Sequence, residues 1–215
     1  MASESTPTLT GNPMVNAGAI AAASLAPGDS AGDKWEFIQQ GLGRFAGRRL
    51  ELDPEVYACE SASNACNQGI ARLLESNGRR YSDPLLAIDL HTHHSALRVD
   101  VRDLAVMDAT LADGRVNPVT GERVIDTATC ARVLAVMATA GPCERSGEWL
   151  CDLGLPGKSG VSGGIITIAP GKGGLATFAP PLDSAGNCVR GQLATRFLSE
   201  RLGLNLFASK PDPRR

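Results

Sequence analysis

The chain has no marked excess of either charge: 21 basic against 23 acidic residues in 215 leave a formal net charge of −2. That balance gives no electrostatic reason for nucleic acid or an anionic membrane as partner. A small neutral or zwitterionic molecule fits better. No apolar run approaches the roughly 18 to 20 residues that span a bilayer, and Met1 to Gly11 has neither the basic start nor the apolar stretch of a signal peptide. A cytoplasmic protein is expected. The six cysteines (Cys59, Cys66, Cys130, Cys143, Cys151, Cys188) form no C-x-x-C pair, so they read as reduced thiols packed as small apolar groups. There is no internal repeat, and the length suits one core.

Against these absences the sequence shows clear punctuation. Residues 1–11 are rich in Ser, Thr and Pro without apolar periodicity, which predicts a disordered or replaced tail. A polar tail is expected over 209–215, leaving 12–208 as the domain. Helices are predicted from Met14 to Leu25, in a run of small residues, and from Lys34 to Phe45 on Trp35, Phe37, Ile38 and Leu42. Asp53-Pro54 reads as a cap and first-turn proline. It opens one long helix through Val56, Cys59, Ile70 and Leu74, which Asn77-Gly78 ends. Further helices are expected at 84–93, 101–112 and 127–139. After Gly154 two apolar runs, 163–169 and 174–179, flank Pro170-Gly171-Lys172-Gly173, a hairpin signal. Val189 to Leu202 returns to helical spacing. The sum is an α+β domain with helices packed on an antiparallel sheet.

Two segments point to chemistry. In Asn12-Pro13-Met14-Val15-Asn16-Ala17-Gly18 two amides flank a turn that enters a helix. In Leu155-Pro156-Gly157-Lys158-Ser159-Gly160-Val161-Ser162-Gly163-Gly164 a glycine-rich stretch precedes an apolar strand. There the backbone is open to close approach by a ligand, and exposed N–H groups can hold an oxyanion. The Lys-Ser-Gly triplet is analogous to the Lys-Thr-Gly strand of penicillin-recognising enzymes.

Together these segments resemble the serine-dependent glutaminases. Further matches are Val56-Tyr57 with Glu60 and Asn67; Ala109-Thr110-Leu111-Ala112-Asp113-Gly114; Pro118-Val119-Thr120-Gly121-Glu122-Arg123-Val124; and Pro180-Pro181-Leu182-Asp183-Ser184-Ala185-Gly186-Asn187. The resemblance runs from about Asn12 to Leu202. It implies a β-lactamase/DD-peptidase-like fold and hydrolysis of L-glutamine to L-glutamate and ammonia through a serine acyl-enzyme, with no metal or cofactor. It also implies that Asn16, Glu60 and Asn67 bind the amino-acid end of glutamine or glutamate, that the Val161 N–H is an oxyanion donor, and that the chain forms a dimer or tetramer. On one continuous helix Glu60 and Asn67, seven residues apart, would face the same side.

Departures accompany the resemblance. No Ser-x-x-Lys occurs in the 215 residues. In the family that motif precedes the N-P-M-x-N turn, so the nucleophile, its lysine and an upstream tyrosine are expected to be absent here. The positions of two further family tyrosines hold His91 and Cys143, and cysteine stands at 59 and 66, where the family has serine and arginine. An imidazole can partly replace a phenol as proton donor or acceptor. His91 and His94 can share a helix face, yet the sequence supplies no third ligand and a metal site is not expected. Two expectations follow: catalysis by this chain is impaired, and the chain is poorly soluble or dimeric. A non-catalytic module binding glutamine or glutamate is the alternative reading.

Overall fold

Aspartates set just before apolar runs open several of the helices. Asp53 accepts from the N–H groups of Glu55 and Val56 at 3.0 and 3.1 Å, and Asp83 does the same for Leu85 and Leu86. Asp100 and Asp103 form a reciprocal capping box, and Asp126 accepts from the Thr129 N–H. The computed structural model describes residues 12–78, 82–142 and 145–208; the tails expected at 1–11 and 209–215 lie outside them. The chain divides into two units, Met1–Gln40 with Glu51–Arg98, and Gly41–Leu50 with Val99–Arg215.

The first unit is helical. Asn16–Ser24 (α1), the N-terminal part of Ala31–Ala46 (α2), Pro54–Ala62 (α3), Ala65–Ser76 (α4) and Pro84–Ser95 (α5) make it up. Its core is built from Ile20, Ala71, Leu74, Ala87 and Ile88, contributed by α1, α4 and α5. Two of these five side chains, Ala71 and Ala87, are small, so the helices approach closely. Asp53 also holds Arg98 at 3.0 Å, beside an antiparallel bridge between Leu52 and Leu97.

Here one expectation is corrected. The single helix expected from residue 54 to 76 is two, broken at Ser63-Asn64. Ser63 turns its hydroxyl back onto the Cys59 carbonyl at 2.9 Å, and its N–H bonds to Cys59 and Glu60 carbonyls. Short polar side chains compete in this way for the backbone groups that would continue a helix. The argument that Glu60 and Asn67 lie on one helical face therefore falls with the break.

The second unit is α+β. After the C-terminal part of α2 come Val101–Asp113 (α6), Thr127–Ala140 (α7), Ser146–Leu153 (α8), Gly157–Ser159 (β1), Gly164–Ala169 (β2), Gly173–Phe178 (β3) and Val189–Leu202 (α9). The strands form an antiparallel sheet in the order β1-β2-β3, with Ile165 opposite Thr177 and Ile168 opposite Gly174. Strand alternation separates two faces. Residues 164, 166, 168, 174 and 176 face α6, where a Cβ on Gly174 would stand 2.3 Å from the Asp108 Cβ and 2.4 Å from the Ala109 nitrogen. Residues 165 and 177 face α9, and Ile165 packs with Trp149, Leu153 and Cys188. Only glycine at 174 lets helix and strand backbones approach so closely. The short helix α8 and the three-residue strand β1 escaped the sequence reading, since eight and three residues carry too little periodicity.

The cysteines divide. Cys130 and Cys188 are buried and free, whereas Cys59, Cys66 and Cys151 are exposed. Packing as small apolar groups is thus right for the first two and corrected for the other three. Cys188 also caps α9, its sulfur accepting from the Gly191 N–H at 3.1 Å. Among the described residues no helix is long and apolar enough to cross a membrane.

Candidate functional site

In the first unit the turn Asn12-Pro13 is held by the Asn12 side chain, which accepts from the Met14 N–H at 2.7 Å. This delivers Asn16 as the first residue of α1, exposed, with no side chain capping that helix end. Asn67 lies in the first turn of α4, whose N-terminus also lacks a side-chain cap. The Asn16 amide donates to the Asn67 Oδ1 at 3.0 Å. Two residues 51 apart in sequence are thereby joined. The partial positive charge and unsatisfied first-turn N–H groups of two helix ends sit beside two amides, an arrangement that suits a carboxylate. Glu60 is exposed in the last turn of α3. A carboxylate at the negative end of a helix suits an ammonium.

The three histidines of α5 split between two faces. His91 is buried at 7% exposure, and its Nδ1 has no hydrogen-bond partner among the described residues. Its ring lies 4.9 Å from that of His94, centroid to centroid. Burial lowers the pKa of His91, and burial followed by the neighbouring His91 lowers that of His94 to about 4, a Leu90 backbone hydrogen bond opposing. Both are neutral at pH 7. His93 instead packs between Trp35 and Tyr57, at 5.0 and 4.2 Å, with its Nδ1 2.8 Å from the Asp89 carbonyl oxygen. The Tyr57 hydroxyl donates to the Asp89 carboxylate at 2.6 Å. Cys143 lies outside the described residues.

In the second unit Gly160 and Gly163 close a tight turn. The Gly163 N–H bonds to the Gly160 carbonyl at 3.0 Å, and the Gly160 N–H to the Gly164 carbonyl at 2.9 Å. Val161, at its tip, is 85% exposed, and no described residue accepts from its N–H. Lys158 turns back, its ammonium donating to the Ser159 carbonyl.

Two features of this unit gave no sequence signal. A cleft of about 300 Å³ is lined by Trp149, Asp183, Gln192 and Leu193 and by Arg145 and Arg196, paired with Glu148 and Asp152. The other is Asp108, fully buried on α6, with neither carboxylate oxygen hydrogen-bonded among the described residues. Burial pushes its pKa up to about 8, against a lowering contribution from the Thr167 backbone. Nothing in the periodicity of α6 distinguishes this aspartate from a solvated one.

Comparison with known proteins identifies the family. The sequence profile named Glutaminase matches residues 1–207. Glutaminase 2 of Yersinia pestis is 59% identical over 200 residues, covering 93% of this chain and 59% of that protein. The solved structure of a probable glutaminase, YbaS, superposes with a TM-score of 0.90 at 41% identity, over 92% of this chain and 64% of the other. The Bacillus subtilis glutaminase YbgJ, solved as a covalent complex formed by reaction with 6-diazo-5-oxo-L-norleucine, gives a TM-score of 0.87 at 29% identity, over 91% of this chain and 70% of the other. The chain thus spans about three-fifths of the length of its Yersinia relative. With a β-lactamase-like α+β fold and this extent of agreement, the chain belongs to the glutaminase family.

Proposed function

We propose that these residues form the recognition part of a site that hydrolyses L-glutamine to L-glutamate and ammonia. The observation that carries the reading is the Asn16–Asn67 hydrogen bond at two uncapped helix N-termini. In this reading the two amides and helix ends hold the substrate α-carboxylate, and Glu60 pairs with its ammonium. His91 lines the pocket in place of a tyrosine, its neutral imidazole able to donate or accept one proton. When a nucleophile attacks the side-chain amide, the carbonyl oxygen gains negative charge. Taken by itself, the second unit offers the exposed Val161 N–H, for which no described residue is an acceptor, as a donor suited to such an oxygen, and such donors act most strongly where charge develops in the transition state. Ammonia leaves from the resulting tetrahedral centre, and water releases glutamate from the ester.

Among these 215 residues no lysine stands three positions after a serine. The polypeptide on its own is therefore expected to bind glutamate without releasing ammonia from glutamine. Calorimetry of L-glutamate binding tests the recognition part: Glu60→Gln should weaken it by about tenfold or more, the scale of a hydrogen bond to a charged group. Equal affinity in both proteins, or no heat from wild type, would remove Glu60 from this role. Steady ammonia production by the purified chain would show that the nucleophile is here and was misassigned.

Self-association and a cytoplasmic location are part of the same proposal. Val189, Leu193 and Phe197 recur at one helical spacing on α9 and are 41%, 62% and 61% exposed. Contiguous apolar stripes of this kind favour association. The free thiols suit a reducing compartment. Sedimentation showing only monomer across a wide concentration range would contradict the first, and recovery in an extracytoplasmic fraction the second.

A further inference from the structure

The His91–His94 pair on α5 is not explained by packing alone. Buried polar groups are hydrogen-bonded in the great majority of cases, yet the Nδ1 of His91 has no partner among the described residues. A buried imidazole nitrogen with no hydrogen-bond partner keeps its lone pair or its proton for a group that the described residues do not supply, and metal-ligating histidines bind through such a nitrogen.

The spacing also fits. Residues three apart are neighbours on a helix face. Two imidazoles bound to one tetrahedral ion at about 2.0–2.1 Å per nitrogen place their ring centroids about 5 Å apart. The observed separation is 4.9 Å, with the ring planes 64° apart. His93, between them in sequence, is turned away onto Asp89, Trp35 and Tyr57. The described residues contain no group of three or more His, Cys, Asp and Glu able to hold an ion. Among the described residues two ligands are therefore available, and the remaining positions would fall to water.

We propose that His91 and His94 form a two-nitrogen site for a borderline divalent transition-metal ion such as Zn²⁺ or Ni²⁺. Imidazole donors select these ions over Mg²⁺ and Ca²⁺, which prefer oxygen. The site rests on α5 alone and does not depend on the assignment of glutamine as substrate.

The test uses the full 215-residue chain with its thiols carboxamidomethylated, because exposed Cys59, Cys66 and Cys151 also attract these ions. Calorimetric titration with NiCl₂ and ZnCl₂ should give one site per chain that Mg²⁺ does not compete for. His91→Asn and His94→Asn should each weaken it at least tenfold, and His93→Asn should leave it unchanged. Wild-type protein gives a check that needs no variant: Zn²⁺ should shift the ring ¹H–¹⁵N correlations of His91 and His94 and leave those of His93 in place. No heat from the thiol-blocked chain, binding unaltered in both variants, or a shift confined to His93 would each overturn the proposal.

Discussion

Replacing Asp108 by Asn should stabilise the second unit, and the gain should grow as pH rises from about 4 to about 8. Asp108 is fully buried with both oxygens unpartnered, and its pKa stands at about 8 against 3.8 for the free group. Its folded pKa is thus raised, so the unfolded chain gives up this proton first. Stability is full below pH 4 and falls through the window between the two values, at about 1.4 kcal/mol per pH unit for one proton. At pH 7 the Asn variant should be more stable than wild type by an amount on the order of 4 kcal/mol. Asn keeps the shape and removes the ionisation. The other carboxylates titrate in both proteins, so the quantity to follow is the difference between the two denaturation curves at each pH. A constant difference between pH 5 and pH 8 would show that Asp108 is solvated or paired after all.

The same contact makes Gly174 the position of largest expected loss. A methyl group there would meet the Asp108 Cβ at 2.3 Å and the Ala109 backbone nitrogen at 2.4 Å. Neither atom is the end of a flexible side chain, so relief requires α6 to move off the sheet. Overpacking costs about 1–3 kcal/mol where side chains can adjust; with backbone on both sides Gly174→Ala should exceed that and leave the second unit largely unfolded at 25 °C. Gly147→Ala is the control. Gly147 stands in the first turn of α8 with open space where a Cβ would sit, and alanine is favoured over glycine in a helix by up to about 1 kcal/mol, less at its ends. Circular dichroism melts of the two variants should move in opposite directions. A Gly174→Ala protein melting with wild type would mean that helix and strand are less closely packed than described.

Both effects concern contacts invisible along the chain. The sequence of α6 reads as an ordinary amphipathic helix, and its aspartate at 108 looks no different from those at 103 or 113. Asp103 in fact meets Arg48 at 2.5 Å and caps its own helix, whereas Asp108 meets the sheet. Periodicity reports which face is apolar. It does not report which polar residue intrudes on that face, because the intrusion is defined by the partner surface.

The candidate site shows the same division. Asn16, Glu60, Asn67 and Val161 were all legible as residues of the family's motifs, and the turn chemistry of Asn12-Pro13 placed Asn16 at a helix start. The break at Ser63-Asn64 was not foreseen, since apolar spacing continues across it from Val56 to Leu74. Local hydrogen bonds from the Ser63 hydroxyl and N–H overrode that spacing, and Glu60 and Asn67 came to stand on separate helices, one at a C-terminal and the other at an N-terminal end. This placement gives each residue a helix end of the sign that the proposed substrate group would need.

By itself the sequence determined the family, the α+β class, the hairpin around Pro170-Gly171 and the limits of α9, all features encoded in residues close along the chain or in motifs of fixed spacing. The tertiary structure alone decided that Asn16 bonds to Asn67, that His91 faces His94 while His93 turns away, and that Asp108 is sealed against Gly174. These depend on the packing of separate elements, which fixes distances between side chains that local propensity leaves free.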